Sequence, residues 1–126
     1  YAQAFPADPR SGPVLSNAAE KLYALQQPEQ AADVARRVLA LQPPAAAAQR
    51  RVAWTVLAHT AFERGAFAEA ERGYGEVLAL TDDKAAGRGE LVERQAAAIY
   101  KQGVQAREQG QGRAAVEHFS RIAAVA

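Results

Sequence analysis

The sequence predicts an all-α chain built from three antiparallel helix pairs, and three observations carry that prediction. Apolar residues recur at helical spacing between clusters of Pro, Gly and polar residues; nothing alternates with period two for long enough to form a strand; and one segment repeats along the chain. The residues are 49% apolar but only 7% aromatic. The apolar content is therefore carried by Ala, Leu and Val, of which Ala and Leu favour helical backbone and all three let helices pack closely.

Taken in order, Tyr1-Ala-Gln-Ala-Phe5-Pro6 reads as the last turn of a preceding helix and its stop, and residues 1–11 as that helix end plus a connection. Interruptions at Gln26–Pro28, Gln42–Pro44, Gly65, Thr81–Gly89 and Gly110–Gly112 leave six helices, at about 12–26, 28–42, 44–64, 67–81, 90–109 and 111–126. Pro13, Pro28 and Pro44 each fall in an expected first turn, where the missing N–H is no loss and φ already suits a helix. With 126 residues the chain is long enough for one domain, divided into units 12–43, 44–82 and 83–126. From the opening residues and the absence of methionine the chain is expected to be a fragment of a longer protein.

The repeat is explicit. Sliding 61–80 back by 39 residues lays it without gaps on 22–41, with Gly65 on Gln26, Ala70 on Ala31, Tyr74 on Ala35 and Val77 on Val38. Sliding forward by 45 lays Gly65 on Gly110, Ala70 on Ala115, Tyr74 on Phe119 and Val77 on Ile122. Each unit has a large apolar residue early in its first helix (Leu15, Trp54, Ile99) and a small one four positions later (Ala19, Ala58, Gly103). A small residue recurs in the second helix (Ala31, Ala70, Ala115), so the backbones can approach where small faces small.

The second unit reads Trp54-x2-Leu57-Ala58-x2-Ala61, then Gly65, Phe67 and Ala70-x3-Tyr74, and so resembles the tetratricopeptide repeat. The third unit keeps Gly103, Gly110, Ala115 and Phe119 but has Gln102 and Ala106 where bulkier residues are usual; the first keeps chiefly Leu15, Ala18, Ala19, Leu22, Ala31 and the closing Pro43. Spacings of 39 and 45 exceed the usual repeat length. Together with the opening Phe5-Pro6-x-Asp8-Pro9-Arg10, they resemble repeats of bacterial envelope proteins, including outer-membrane assembly lipoproteins and periplasmic cell-division factors. The resemblance implies a right-handed α-solenoid of about three helix pairs. It also favours a periplasmic or outer-membrane-associated location over a cytoplasmic one.

Composition narrows the chemistry. Fifteen basic against fourteen acidic side chains leave a formal charge of +1, which argues against a dedicated nucleic-acid binder. No run of about eighteen apolar residues offers a membrane span. Cysteine is absent, so disulfides and thiolate metal sites are excluded, while compartment is left open. No nucleophile, base and orienting group converge, and neither enzymatic activity nor a cofactor is expected. His59 and Glu63 share a helix face as the minimum of a metal pair, but a solvated pair is the expected reading. His118 is expected at the surface or a junction, and Trp54 is expected in the core. The helix cost of Gly73 and Gly75 is expected to be offset by a close neighbouring helix. Arg36, Arg37, Arg50 and Arg51 flank one turn and form either a small basic patch or a solvated edge.

In solenoids of helix pairs the first helices line the concave face. The resemblance implies that this face carries Ser16, Glu20 and Tyr23 in the first unit, Thr55, His59 and Phe62 in the second, and Tyr100, Val104 and Arg107 in the third. Tyr23, Phe62 and Tyr100 would anchor a peptide or partner helix, with Glu20, His59, Lys101 and Arg107 giving polar direction; packing between repeats is the other reading. The Lys and Asn clamp of chaperone-docking relatives is missing at these positions. The expected function is a non-catalytic protein-interaction scaffold. The alternative is a spacer or self-assembly element that stacks on further repeats or on a second copy, because the last helix ends Ile122-Ala-Ala-Val125-Ala without a polar cap.

Overall fold

The structure, a computed structural model, describes residues 11–41 and 44–125. The expectations for residues 1–10, for Pro43 and for Ala126 lie outside them. Six helices form and no strand does among the described residues: α1 (Ser11–Ala24), α2 (Pro28–Ala40), α3 (Ala47–Glu63), α4 (Phe67–Ala79), α5 (Arg88–Glu108) and α6 (Gly112–Val125). Each matches an expected helix to within three residues at either end. The largest departure is Pro44, which precedes α3 instead of starting it. Between Pro44 and Ala48 no Ser, Thr, Asp or Asn fixes an N-cap. The ladder instead begins where Arg50 N–H donates to the Ala46 carbonyl (3.0 Å), while Arg50 Nε donates to the Ala45 carbonyl (3.1 Å).

The chain forms two compact units, Tyr1–Thr60 and Ala61–Ala126, divided within α3. In the first, α1 packs on α2 and the core joins Leu15 and Ala19 of α1, Ala31, Ala35 and Val38 of α2, Leu41, and Ala53 and Val56 of α3. Ala19, Ala31 and Ala35 are fully buried. Small side chains at these points bring the helices close, and Val38 and Leu15 fill the remaining space. In the second unit α5 is central and packs on both α4 and α6. Ala70, Gly73, Tyr74 and Val77 form the buried stripe of α4; Ala98, Ile99, Gly103 and Ala106 form that of α5, and Ala115 is the buried residue of α6. A Cβ on Gly103 would run into the Phe119 ring, so this glycine is what lets α6 seat against α5. Gly75 faces Gln95 of α5, whose Nε2 would lie 3.1 Å from an added Cβ.

Tyr74 is 1% exposed, as a packing residue should be. Burial pushes its phenol pKa up, against the opposing charge and hydrogen bond of Arg94. Trp54 departs from expectation: it is half-buried, and Val56 and Ala53 take the buried positions beside it. Polar and apolar side chains alternate around α3, with Gln49, Arg50, Arg51, Thr55, His59, Thr60 and Glu63 on no single side, so periodicity alone did not single out which face turns inward.

Three helix ends close in the same way. Gln26 N–H donates to Tyr23 O (3.0 Å) and Gln27 N–H to Leu22 O (2.9 Å). At the second turn Gly65 bonds Phe62 (3.0 Å) and Ala66 bonds Ala61 (2.8 Å); at the third Gly110 bonds Arg107 (3.1 Å) and Gln111 bonds Ala106 (2.8 Å). This is the paired 5→2 and 6→1 closure that needs a left-handed residue. It falls at φ 61° for Gln26, 82° for Gly65 and 76° for Gly110, the same three positions that the 39- and 45-residue shifts superpose. The connection after α4 closes differently. Arg88 Nη1 donates to the carbonyls of Leu78 (3.0 Å) and Thr81 (3.1 Å), placing a cation on the last turn of α4, and Asp82 accepts from Lys84 N–H (3.2 Å).

Because Gln26 alone of the three holds a left-handed backbone with a Cβ, Gln26→Gly is expected to raise stability by about 0.5–1 kcal/mol and Gly65→Ala to lower it by about 1 kcal/mol. Urea denaturation followed by far-UV circular dichroism measures both. An unchanged midpoint for both variants would show that these turns carry no strain.

Candidate functional site

The helical register of α5 sorts its polar and aromatic residues onto two sides. One side faces α4. Gln95 Nε2 donates to the Glu71 carbonyl (3.4 Å), Gln102 Nε2 to the Glu71 carboxylate (2.7 Å), and Gln105 Nε2 to the Gly65 carbonyl (3.3 Å). Spacings of seven and three place these amides along one stripe. Glu71 also accepts from Arg121 Nη1 of α6 at 2.6 Å, and Arg121 Nη2 meets His118 Nδ1 at 2.8 Å. Arginine is an obligate donor, so His118 Nδ1 accepts and the ring proton resides on Nε2. One carboxylate therefore ties α4 to both α5 and α6. Beside it, Gly65–Glu69, Gln102, Gln105, Ala106, Gln109, Gln111 and His118 line an open cleft of about 370 Å³.

The sequence marks Gln102 only as a departure from the repeat pattern and His118 as a surface or junction residue. Glu71, which accepts from Gln102 and from the Arg121 that meets His118, was missed, because nothing in an isolated Glu-Arg pair fifty positions apart signals contact. Partial burial by itself would raise the Glu71 pKa. The hydrogen bonds from Arg121 and Gln102, with the charge of Arg121, outweigh it and hold the carboxyl below its ordinary value.

The other side of α5 carries Tyr100, Val104 and Arg107. Tyr100 is 49% exposed. Its ring lies 5.6 Å from that of Phe119 at 41°, and the Arg107 guanidinium stands 6.0 Å from the same Phe119 ring. Val104 is half-buried and Lys101 exposed. Two of the expected face residues, Tyr100 and Arg107, thus meet one aromatic side chain of α6 that had been assigned to packing alone.

The remaining expected residues are less uniform. In the second unit Phe62 is half-buried and edge-on to Phe67 (5.0 Å, 73°). In the first, Tyr23 stacks on His59 (5.7 Å, 28°), Glu20 is exposed, and Thr55 spends its hydroxyl on the Arg51 carbonyl (2.8 Å). Ser16 is 5% exposed and offers no surface. The buried stripe of α1 runs through Gly12, Leu15, Ser16 and Ala19 and is wide enough to include it. Of the four arginines read as a patch or an edge, Arg36 pairs with Asp33 (2.9 Å) and Arg50 turns to the Ala45 carbonyl. Among the described residues no group of three or more His, Asp or Glu side chains is arranged to hold a metal ion, and no helix is long and apolar enough to cross a membrane.

Because its pKa is depressed in the folded state, Glu71 contributes stability that is present above the ordinary carboxylate range and lost as pH falls through its folded value. Glu71→Gln is expected to cost about 1–2 kcal/mol at neutral pH, a range that allows for the solvent exposure of the pair. The gap to wild type should close in acid. Urea titrations at neutral pH and at about pH 3 measure it; a gap that persists in acid would exclude the carboxylate charge as its source.

Comparison of the chain with protein-family models, with curated proteins and with solved structures returns no significant match.

Proposed function

We propose that this chain is a tetratricopeptide-like segment acting as a non-catalytic protein-interaction scaffold. The observation that carries the reading is the half-exposed Tyr100, held by contact with Phe119 beside Arg107. Tyr and Arg are the side chains that most often supply binding energy at protein interfaces, and a ring already fixed by its neighbours loses little freedom on docking. The threefold recurrence of one turn geometry at Gln26, Gly65 and Gly110 supports the repeat reading. A right-handed solenoid with a concave binding face remains part of the proposal.

A second reading, self-assembly through helix faces, draws support from Val14, Leu25 and Val116, which are 48%, 67% and 64% exposed. The two readings separate experimentally. Capture from a lysate of the source cells with wild-type chain as bait is expected to retain a protein that Tyr100→Ala bait retains about tenfold less, at equal helicity. Sedimentation of the free chain should give the monomer mass. A mass of twice that, with capture indifferent to Tyr100, would establish self-assembly and remove the scaffold reading.

A further inference from the structure

We infer that the face formed by α5 and α6 around Tyr100 and Phe119 takes an acidic segment of a partner protein, anchored by an apolar side chain. The inference rests on the interaction reading above and names the chemistry of the partner.

The apolar part of the face spans both helices. Phe119 sits over Gly103, so its ring lies low between α5 and α6 and keeps contact with Tyr100. Val116, one helical turn before Phe119 and on the same side of α6, is 64% exposed, and Ala123, one turn after, is exposed as well. An aliphatic or aromatic side chain laid against Tyr100, Phe119 and Val116 would remove exposed apolar surface from water on both sides of the contact.

The charges around that strip favour an anionic partner. Elsewhere in this unit Arg64 pairs with Glu69, Arg88 with Asp83, Arg94 with Glu90 and Arg121 with Glu71. Among the described residues, Lys101, Arg107 and Arg113 make no such pair. Lys101 follows Tyr100, Arg107 lies two turns beyond it on the same side of α5, and Arg113 lies one turn before Val116 on α6. Lys101 is rotated by about 100° from Tyr100 and shares its side of α5 with Glu108, and Glu117 lies one turn beyond Arg113 without pairing with it; on the Tyr100 and Arg107 side of α5 the nearest carboxylate is Glu93, about 10 Å back from Tyr100. The Arg107 guanidinium, resting against the Phe119 ring, is set to meet a carboxylate from solvent while the ring receives the neighbouring apolar group. A chain with a formal charge of only +1 thus gathers unpaired cations around its exposed aromatic pair.

The test uses the whole chain and three end-capped hexapeptides, each with a central leucine-phenylalanine pair flanked by glutamates, glutamines or lysines, together with a single-stranded thymidine oligonucleotide of matched charge. Binding is read by fluorescence anisotropy at low and physiological salt. The glutamate peptide should bind about fivefold more tightly than the glutamine peptide, weaken with salt, and lose about fivefold with either Tyr100→Ala or Arg107→Gln. The lysine peptide should bind least. Equal affinity for all three peptides, no binding of the glutamate peptide, or tighter binding of the oligonucleotide would each overturn the inference. If the glutamate peptide fails while lysate capture still depends on Tyr100, the acidic class is wrong and the interaction reading stands. If neither depends on Tyr100, both fall.

Discussion

Helices as poor in large side chains as these can hold together only where their backbones come close, and everything else follows from where small residues permit it. Ala19, Ala31 and Ala35 in the first unit and Ala70, Ala98 and Ala115 in the second are almost fully buried. Their contribution is steric. Each removes an obstacle, so that the few larger groups, Leu15, Val38, Tyr74, Val77 and Ile99, meet neighbours instead of gaps. Gly103 is the extreme case, because its missing Cβ is the space that the Phe119 ring occupies.

That contact also links packing to the proposed activity. Phe119 has one edge against the α5 backbone and another against Tyr100, and Arg107 stands over its ring. The close approach that seats α6 on α5 therefore determines how the exposed tyrosine and the cation are displayed. On the opposite side of α5 the same seating brings Arg121 to Glu71 and completes the polar tie from α4 to α5 and α6. A buried apolar seam with a polar tie on one side and an aromatic-cationic face on the other gives α5 its three distinct exposures.

Much of the fold was legible in advance. Six helices and their order followed from Pro and Gly punctuation. The register of Gly65 on Gln26 and Gly110 anticipated the turns, since a left-handed position leaves a mark that a glycine betrays even where one copy has lost it. The small buried positions were legible for the same reason. Less was visible of the candidate site. Ser16 is buried where surface was expected and Trp54 only half-buried where core was expected, because the stripe of α1 is wide, α3 has no marked apolar side, and a period alone does not say how far a buried stripe extends. Phe119 was legible as packing but not as the centre of the Tyr100 and Arg107 cluster, since that depends on two helices meeting at one height.

By itself, then, the sequence determined what is local: where helices lie to within a turn, which turn positions correspond between repeats, and where small residues allow close approach. Those properties depend on neighbours within a few positions, and a single chain states them directly. The tertiary structure decided what depends on residues far apart: that Glu71 meets Arg121, that Gln102 is a donor to it, and that Tyr100, Arg107 and Phe119 share one face. Such pairings are set by the rotation and height at which two helices lock. The physical reason is that packing fixes those quantities over a whole interface at once, while sequence spacing fixes them only along a single helix.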